Sequence, residues 1–101
     1  MLELVRAAAA RRLPFLPHAV RQMSRPQRMI TAVEIQQVVT SGELVADYPE
    51  DVRGHSCLLL GFGDQGRPIH VVCVPKNEYL AIVTAYVPDP LQWSPDFKRR
   101  L

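Results

Sequence analysis

Cysteine, glycine and aromatic side chains are all scarce in this sequence: two Cys, five Gly and seven aromatics among 101 residues. Cys57 and Cys73 lie inside apolar runs (SCLLLG and HVVCVP), with no C-x-x-C spacing and no histidines at zinc intervals. That excludes a disulfide scaffold and a zinc module, and it leaves the expectation of two buried, reduced thiols in a cytoplasmic protein. With few aromatics, the core must be mostly aliphatic. No stretch approaches the ~20 apolar residues of a membrane span. The opening MLELVRAAAARRLPFLP has a targeting flavour, but Glu3, Arg6, Arg11 and Arg12 interrupt it before an apolar segment of signal length develops. GFGDQG is glycine-rich yet stands between two strand patterns, so it reads as a hairpin turn and not as a phosphate loop opening a helix. Asp47, Glu50 and Asp51 do not have calcium-loop spacing and are expected in a solvated loop. Neither a metal nor a cofactor is expected.

Apolar residues make up 48% and charged residues 22%, which is the balance of a folded chain. The length allows one core and is too short for a doubly wound nucleotide-binding fold or a (β/α) barrel. The formal charge of +2 conceals a division. Residues 1–30 hold six Arg against one Glu, residues 31–66 six acids against Arg53, and residues 67–101 five bases against three acids. Basic ends around an acidic middle are compatible with polyanion binding, and they exclude an all-over polycation.

Along the chain, residues 1–16 are expected as a flexible extension. Pro17 then opens a short helix over HAVRQM, ended by Ser24-Arg25-Pro26. Thr31 and Glu34 form a capping box with Ile30 and Ile35 as its staple; the helix TAVEIQQVVTS buries Ile35, Val38 and Val39 and stops at Gly42. Four strand patterns follow: GELVADYP, SCLLLGF, PIHVVCVP and YLAIVTAYVP. Short connections make them antiparallel neighbours. In the tail, Trp93 and Phe97 are spaced to anchor one helical turn on the sheet. The expected fold class is therefore α+β: two N-terminal helices, then a four-stranded antiparallel meander and a short C-terminal helical turn.

Register decides which polar groups meet. A three-residue loop, Lys76 to Glu78, pairs Pro75 with Tyr79 and puts His70 opposite Thr84, with Tyr86 on the same face. A two-residue loop puts His70 opposite Val83 and dissolves the cluster. A histidine in an apolar strand is either a core residue bonded to a carbonyl or a group titrating near neutrality in a cleft. Thr84 and Tyr86 are good strand formers in their own right, and their value lies in converging with His70. His18, with Arg21 three residues on, caps its helix or reaches the same cleft. Two imidazoles, a phenol and a guanidinium can cleave RNA without metal, by taking the 2′-hydroxyl proton, protonating the leaving oxygen and holding the phosphorane charge. Lys98, Arg99 and Arg100 form either a solvated tail or, held by Trp93 and Phe97, a phosphate grip.

GRPIHVV (Gly66 to Val72) and IVTAYVPDPLQW (Ile82 to Trp93), with PHA, EI, GE and DYP before them, resemble the small prokaryotic family known as domain of unknown function 4258. The likeness runs from about Pro17 to Arg100. One departure is that Gln22, not arginine, precedes Met23, with Arg25 and Arg28 flanking Pro26 beyond it. The resemblance implies a single domain over residues 17–101 of the RelE/barnase type, grouped with the barnase, EndoU, colicin and RelE ribonuclease toxins. It also implies a cytoplasmic, metal-independent endoribonuclease toxin with RNA as substrate and a cognate antitoxin protein as partner. Its polar positions fall on His18, His70, Thr84, Tyr86 and Arg99 or Arg100. The alternative is a non-catalytic protein- or RNA-binding module on the same fold, with structural histidines. The expected catalytic set is His18, His70, Tyr86 and Thr84, with Arg21, Arg99 and Arg100 for phosphate.

Overall fold

The computed structural model describes residues 1–26 and 29–101, so the sequence reading of Arg28 lies outside the described residues. Three helices, α1 (Leu2–Arg11), α2 (Pro17–Met23) and α3 (Ala32–Ser41), precede four strands, β1 (Glu43–Tyr48), β2 (Ser56–Phe62), β3 (Pro68–Pro75) and β4 (Leu80–Tyr86). The strands form one antiparallel sheet in the order β1-β2-β3-β4. The class is α+β, but the expectation of two N-terminal helices and a C-terminal helical turn is corrected at both ends.

At the N-terminus, the segment expected as a flexible extension contains α1. Its run of alanines favours helix, and Val5 and Ala8, one turn apart, are buried against the core. The Arg6 guanidinium donates to the Gly42 carbonyl, and Arg11 pairs with Glu78. The following segment runs along the outer edge of β4: Leu80 N–H donates to Arg12 O, Ile82 N–H to Pro14 O, and Leu16 N–H to Ile82 O. That covers one sheet edge.

At the C-terminus, residues 88–101 turn back on themselves as a small hairpin in place of the expected helical turn. Trp93 bridges Arg100 antiparallel, and Ser94 N–H donates to Arg99 O. The physical reason lies at Ser94 and Phe97. Ser94 precedes a proline, which disfavours helical backbone, and its hydroxyl bonds Asp96. Phe97 adopts φ +61°, a left-handed conformation that no helix continues through.

α3 forms where its capping box predicts. Thr31 Oγ1 accepts from Glu34 N–H, the Glu34 carboxylate accepts from Thr31 N–H, and Gly42 is the C-cap. One face of the sheet (Cys57, Leu59, Ile69, Val71, Cys73, Ile82, Ala85) packs under α1 and α3 with Ile35, Val38 and Val39, and α2 adds Ala19. Helix α3 rests so close to β2 that a Cβ on Gly61 would stand 2.9 Å from the Val38 Cα. Gly61→Ala should therefore lower stability by about 1–3 kcal/mol, read as a drop in denaturation midpoint. An unchanged midpoint would show that α3 has room to move.

Both loop lengths considered for β3–β4 are corrected. Pro75 pairs with Leu80, so four residues make the turn, and Lys76 N–H donates to Tyr79 O. A bulge then inserts Val83: Cys73 pairs with Ile82 but Val72 with Thr84. His70 consequently stands opposite Tyr86, not Thr84 or Val83.

Candidate functional site

Strand alternation turns His70, Val72, Thr84 and Tyr86 away from the helices, onto the second face of the sheet. The C-terminal hairpin crosses this face along one row of paired residues: Glu43, Leu60, His70 and Tyr86. At the β1 end the Lys98 ammonium meets the Glu43 carboxylate at 2.6 Å. Over β3, Phe97 offers its carbonyl oxygen to His70 Nε2 at 2.8 Å. Trp93, 7% exposed, sets its ring edge-to-face on the imidazole with centroids 4.5 Å apart.

His70 is thus fully buried, and both ring nitrogens are engaged. A carbonyl oxygen only accepts, so Nε2 carries the proton and Nδ1 accepts from the Tyr86 hydroxyl, 3.2 Å away. Burial disfavours the imidazolium and lowers the His70 pKa below its usual value, with the Phe97 carbonyl opposing and the Arg100 charge adding to the effect. The half-buried Tyr86 is shifted upward, first by burial and then by Tyr48, while Arg100 pulls the other way. Arg100 itself is exposed and carries its guanidinium 4.8 Å over the Trp93 ring. The neighbouring Arg99 is also exposed, its backbone fixed by Ser94.

The structure brings together His70, Tyr86 and Arg100, with Thr84 one row away on the same face. It leaves His18 and Arg21 outside this cluster. Both are exposed on α2, which packs along β4 and inserts Ala19 among the residues of the helix-covered face. The two imidazoles therefore do not share a cleft: one is sealed beneath the C-terminal hairpin, the other faces solvent from a helix.

A second polar unit went unread in the sequence. Glu34, 1% exposed, accepts from Arg67 Nε and Nη2 (3.1 and 2.7 Å) and from the Asp64 N–H (2.9 Å), beyond its capping bonds to Thr31. This bidentate pair holds the Glu34 carboxyl at a pKa of about 2 and fastens the β2–β3 turn to α3. In sequence Glu34 has the place of a capping residue only; nothing local to GRPIHVV says that its arginine reaches back to a helix. Among the described residues, no group of three or more His, Cys, Asp or Glu stands where it could hold a metal ion. Nor is any described helix long and apolar enough to cross a membrane.

No curated protein and no solved structure matches this chain. A family model does match, over residues 15–87, which takes in α2, α3 and all four strands and ends just before the hairpin that covers His70. On that match the chain belongs to the family described as domain of unknown function (DUF4258).

Proposed function

We propose that this protein cleaves RNA by metal-independent transphosphorylation, and that Tyr86 is the group that meets the substrate. One observation carries the reading: the hydrogen-bond chain from the Phe97 carbonyl through His70 to the half-buried Tyr86 hydroxyl. The carbonyl fixes the tautomer, burial keeps the ring neutral, and Nδ1 is left as an acceptor behind the phenol. As a ribose 2′-hydroxyl gives its proton to Tyr86 Oη, the phenolic proton passes to Nδ1. The 2′-oxygen attacks phosphorus, the P–O5′ bond breaks, and the departing oxygen takes a proton from solvent. The products are a 2′,3′-cyclic phosphate and a 5′-hydroxyl. Arg100, whose charge reaches both Tyr86 and His70, is the group we assign to stabilising the phosphorane, with Arg99 next in the chain. The ribonuclease grouping that the family resemblance implies is the same chemistry, and a toxin of this kind would be held in check by a cognate antitoxin protein.

His18 and His70 do not share acid–base work, because the two side chains lie in different places. The test is incubation of the purified protein with RNA in excess chelator. Products ending in 2′,3′-cyclic phosphate, and growth arrest when the chain is expressed alone, are expected. RNA bound but left intact would overturn cleavage in favour of the second reading, a binding module. The complete burial of His70 favours that second reading.

A further inference from the structure

RNA cleavage leaves unused the two buried thiols of the helix-covered face. Cys57 and Cys73, the only cysteines of the chain, are direct partners across β2 and β3. Both are fully buried, and their sulfur atoms lie 3.8 Å apart. Directly opposed residues of an antiparallel pair have Cα atoms roughly 4.5–5.5 Å apart, inside the range of about 4.4–6.8 Å that a disulfide spans. Bringing these sulfurs to bonding distance therefore takes side-chain rotation and no change of register. The Cys73 S–H donates to the Cys57 sulfur, which holds the Cys57 thiol below its ordinary range; the same bond, with burial, pushes Cys73 up. Cys57 is thus the better nucleophile, with Cys73 aimed at it. A cleft of about 320 Å³ opens close by, between α1 and the β3–β4 turn. It is lined by Ala8 of the core and by Pro75, two residues on from Cys73 and on the same face of β3. It has room for a molecule little larger than water, from which a local opening reaches the sulfurs.

We propose that Cys57 and Cys73 are an oxidative modification site, at which hydrogen peroxide converts the two thiols into a reversible disulfide that staples β2 to β3. The Cys57 sulfur attacks one peroxide oxygen, the O–O bond breaks, and the released hydroxide leaves as water with the Cys57 proton. Cys73 then attacks the sulfur of the Cys57 sulfenic acid. The S–S bond forms, the S–O bond breaks, and the hydroxyl leaves as water with the Cys73 proton. The two sulfurs lose two electrons and the peroxide, reduced to two waters, gains them. The second thiol at 3.8 Å is what stops oxidation at the disulfide, ahead of the irreversible sulfinic acid. The pair lies on the sheet face opposite His70 and Tyr86, so the site stands independently of the RNA reading.

The experiment treats the full, reduced, folded chain with dilute hydrogen peroxide and maps its peptides by mass spectrometry without reductant. The Cys57 and Cys73 peptides should emerge joined, two hydrogens lighter, from a chain that is still monomeric, and dithiothreitol should separate them. The linked chain should keep its circular dichroism and melt about 5 °C or more above the reduced one, since the bond closes a loop in the unfolded state. In Cys73→Ala the resolving thiol is gone, so Cys57 should gain oxygen and proceed to the sulfinic acid. Two free thiols in the treated wild type, or links between chains in place of the internal one, would overturn the proposal. So would a linked chain that melts below the reduced one, because the strands would then not accept the bond. A folded Cys73→Ala chain whose Cys57 stays unoxidised would overturn Cys57 as the attacking group. If that variant does not fold, the wild-type linkage decides alone.

Discussion

A Tyr86→Phe variant should keep its fold and lose about 10²–10⁴ of its RNA-cleavage rate, the usual worth of one positioned proton-transfer group. The substitution removes one oxygen. The ring stays edge-on to the imidazole at 5.3 Å between centroids, and the Trp93 contact is untouched. Its structural cost is the Nδ1 acceptor left without a donor in a buried place, about 1–3 kcal/mol. Binding of an all-2′-deoxy oligonucleotide, which lacks the attacking hydroxyl, should be nearly unchanged, so single-turnover cleavage of RNA carries the loss. Wild-type cleavage rates in the Phe variant would remove Tyr86 from the chemistry. His70→Ala is a weaker test, because it also strands the Phe97 carbonyl and hollows the space under Trp93; lost activity there would report packing. The pH profile adds an independent reading. Burial lowers the His70 pKa, so the neutral ring persists below the ordinary histidine value, and the acid limb of the rate should have its midpoint below 6.5. A midpoint above 6.5 contradicts the buried-base arrangement.

Glu34→Ala should destabilise the protein by about 1–3 kcal/mol, the cost of leaving buried donors without their acceptor, while Arg67, 30% exposed, keeps its bond to the Met29 carbonyl. Arg67 loses a two-pronged acceptor, and the N–H groups of Thr31 and Asp64 lose theirs. Domains are typically stable by only about 5–15 kcal/mol, so the variant should show a clearly reduced urea midpoint. The same carboxylate predicts an acid sensitivity. Its pKa falls from 4.5 unfolded to about 2 folded, so its stabilisation is complete above 4.5 and is lost as pH falls toward 2. Urea titrations at neutral pH and near pH 3 should separate wild type from Glu34→Gln less at the lower pH. Equal separation at both would mean that the pair does not support the fold.

The local elements were legible because their signals are local. The Thr31–Glu34 box and Gly42 delimit α3 from its own ends, and the short apolar runs SCLLLGF and PIHVVCVP, bounded by turn residues, mark strands regardless of partners. A frayed or weakly helical extension is all that residues 1–16 promise in isolation; the ordered helix α1 is signalled only by the helical spacing of Leu2, Val5 and Ala8. The site shows the limit more sharply. The turn between β3 and β4 is one residue longer than expected and the bulge at Val83 adds another, so the pairing slips by two. Because side chains alternate with period two, His70 and Tyr86 still share a face, but they become direct partners. Right face and wrong partner came from two offsets that cancel in parity only.

Composition and periodicity thus determined an aliphatic α+β chain with four antiparallel strands and a histidine and tyrosine on one sheet face. Those properties depend on neighbours within a turn or two of each residue. Only the tertiary structure decided that His70 is closed under Trp93 and Phe97, that His18 stands elsewhere, and that Glu34, Glu43, Asp47 and Asp51 meet partners within the chain. Each of those contacts joins residues far apart in the chain, and its distance depends on loop lengths, a bulge and a left-handed Phe97, none of which the local pattern of side chains specifies.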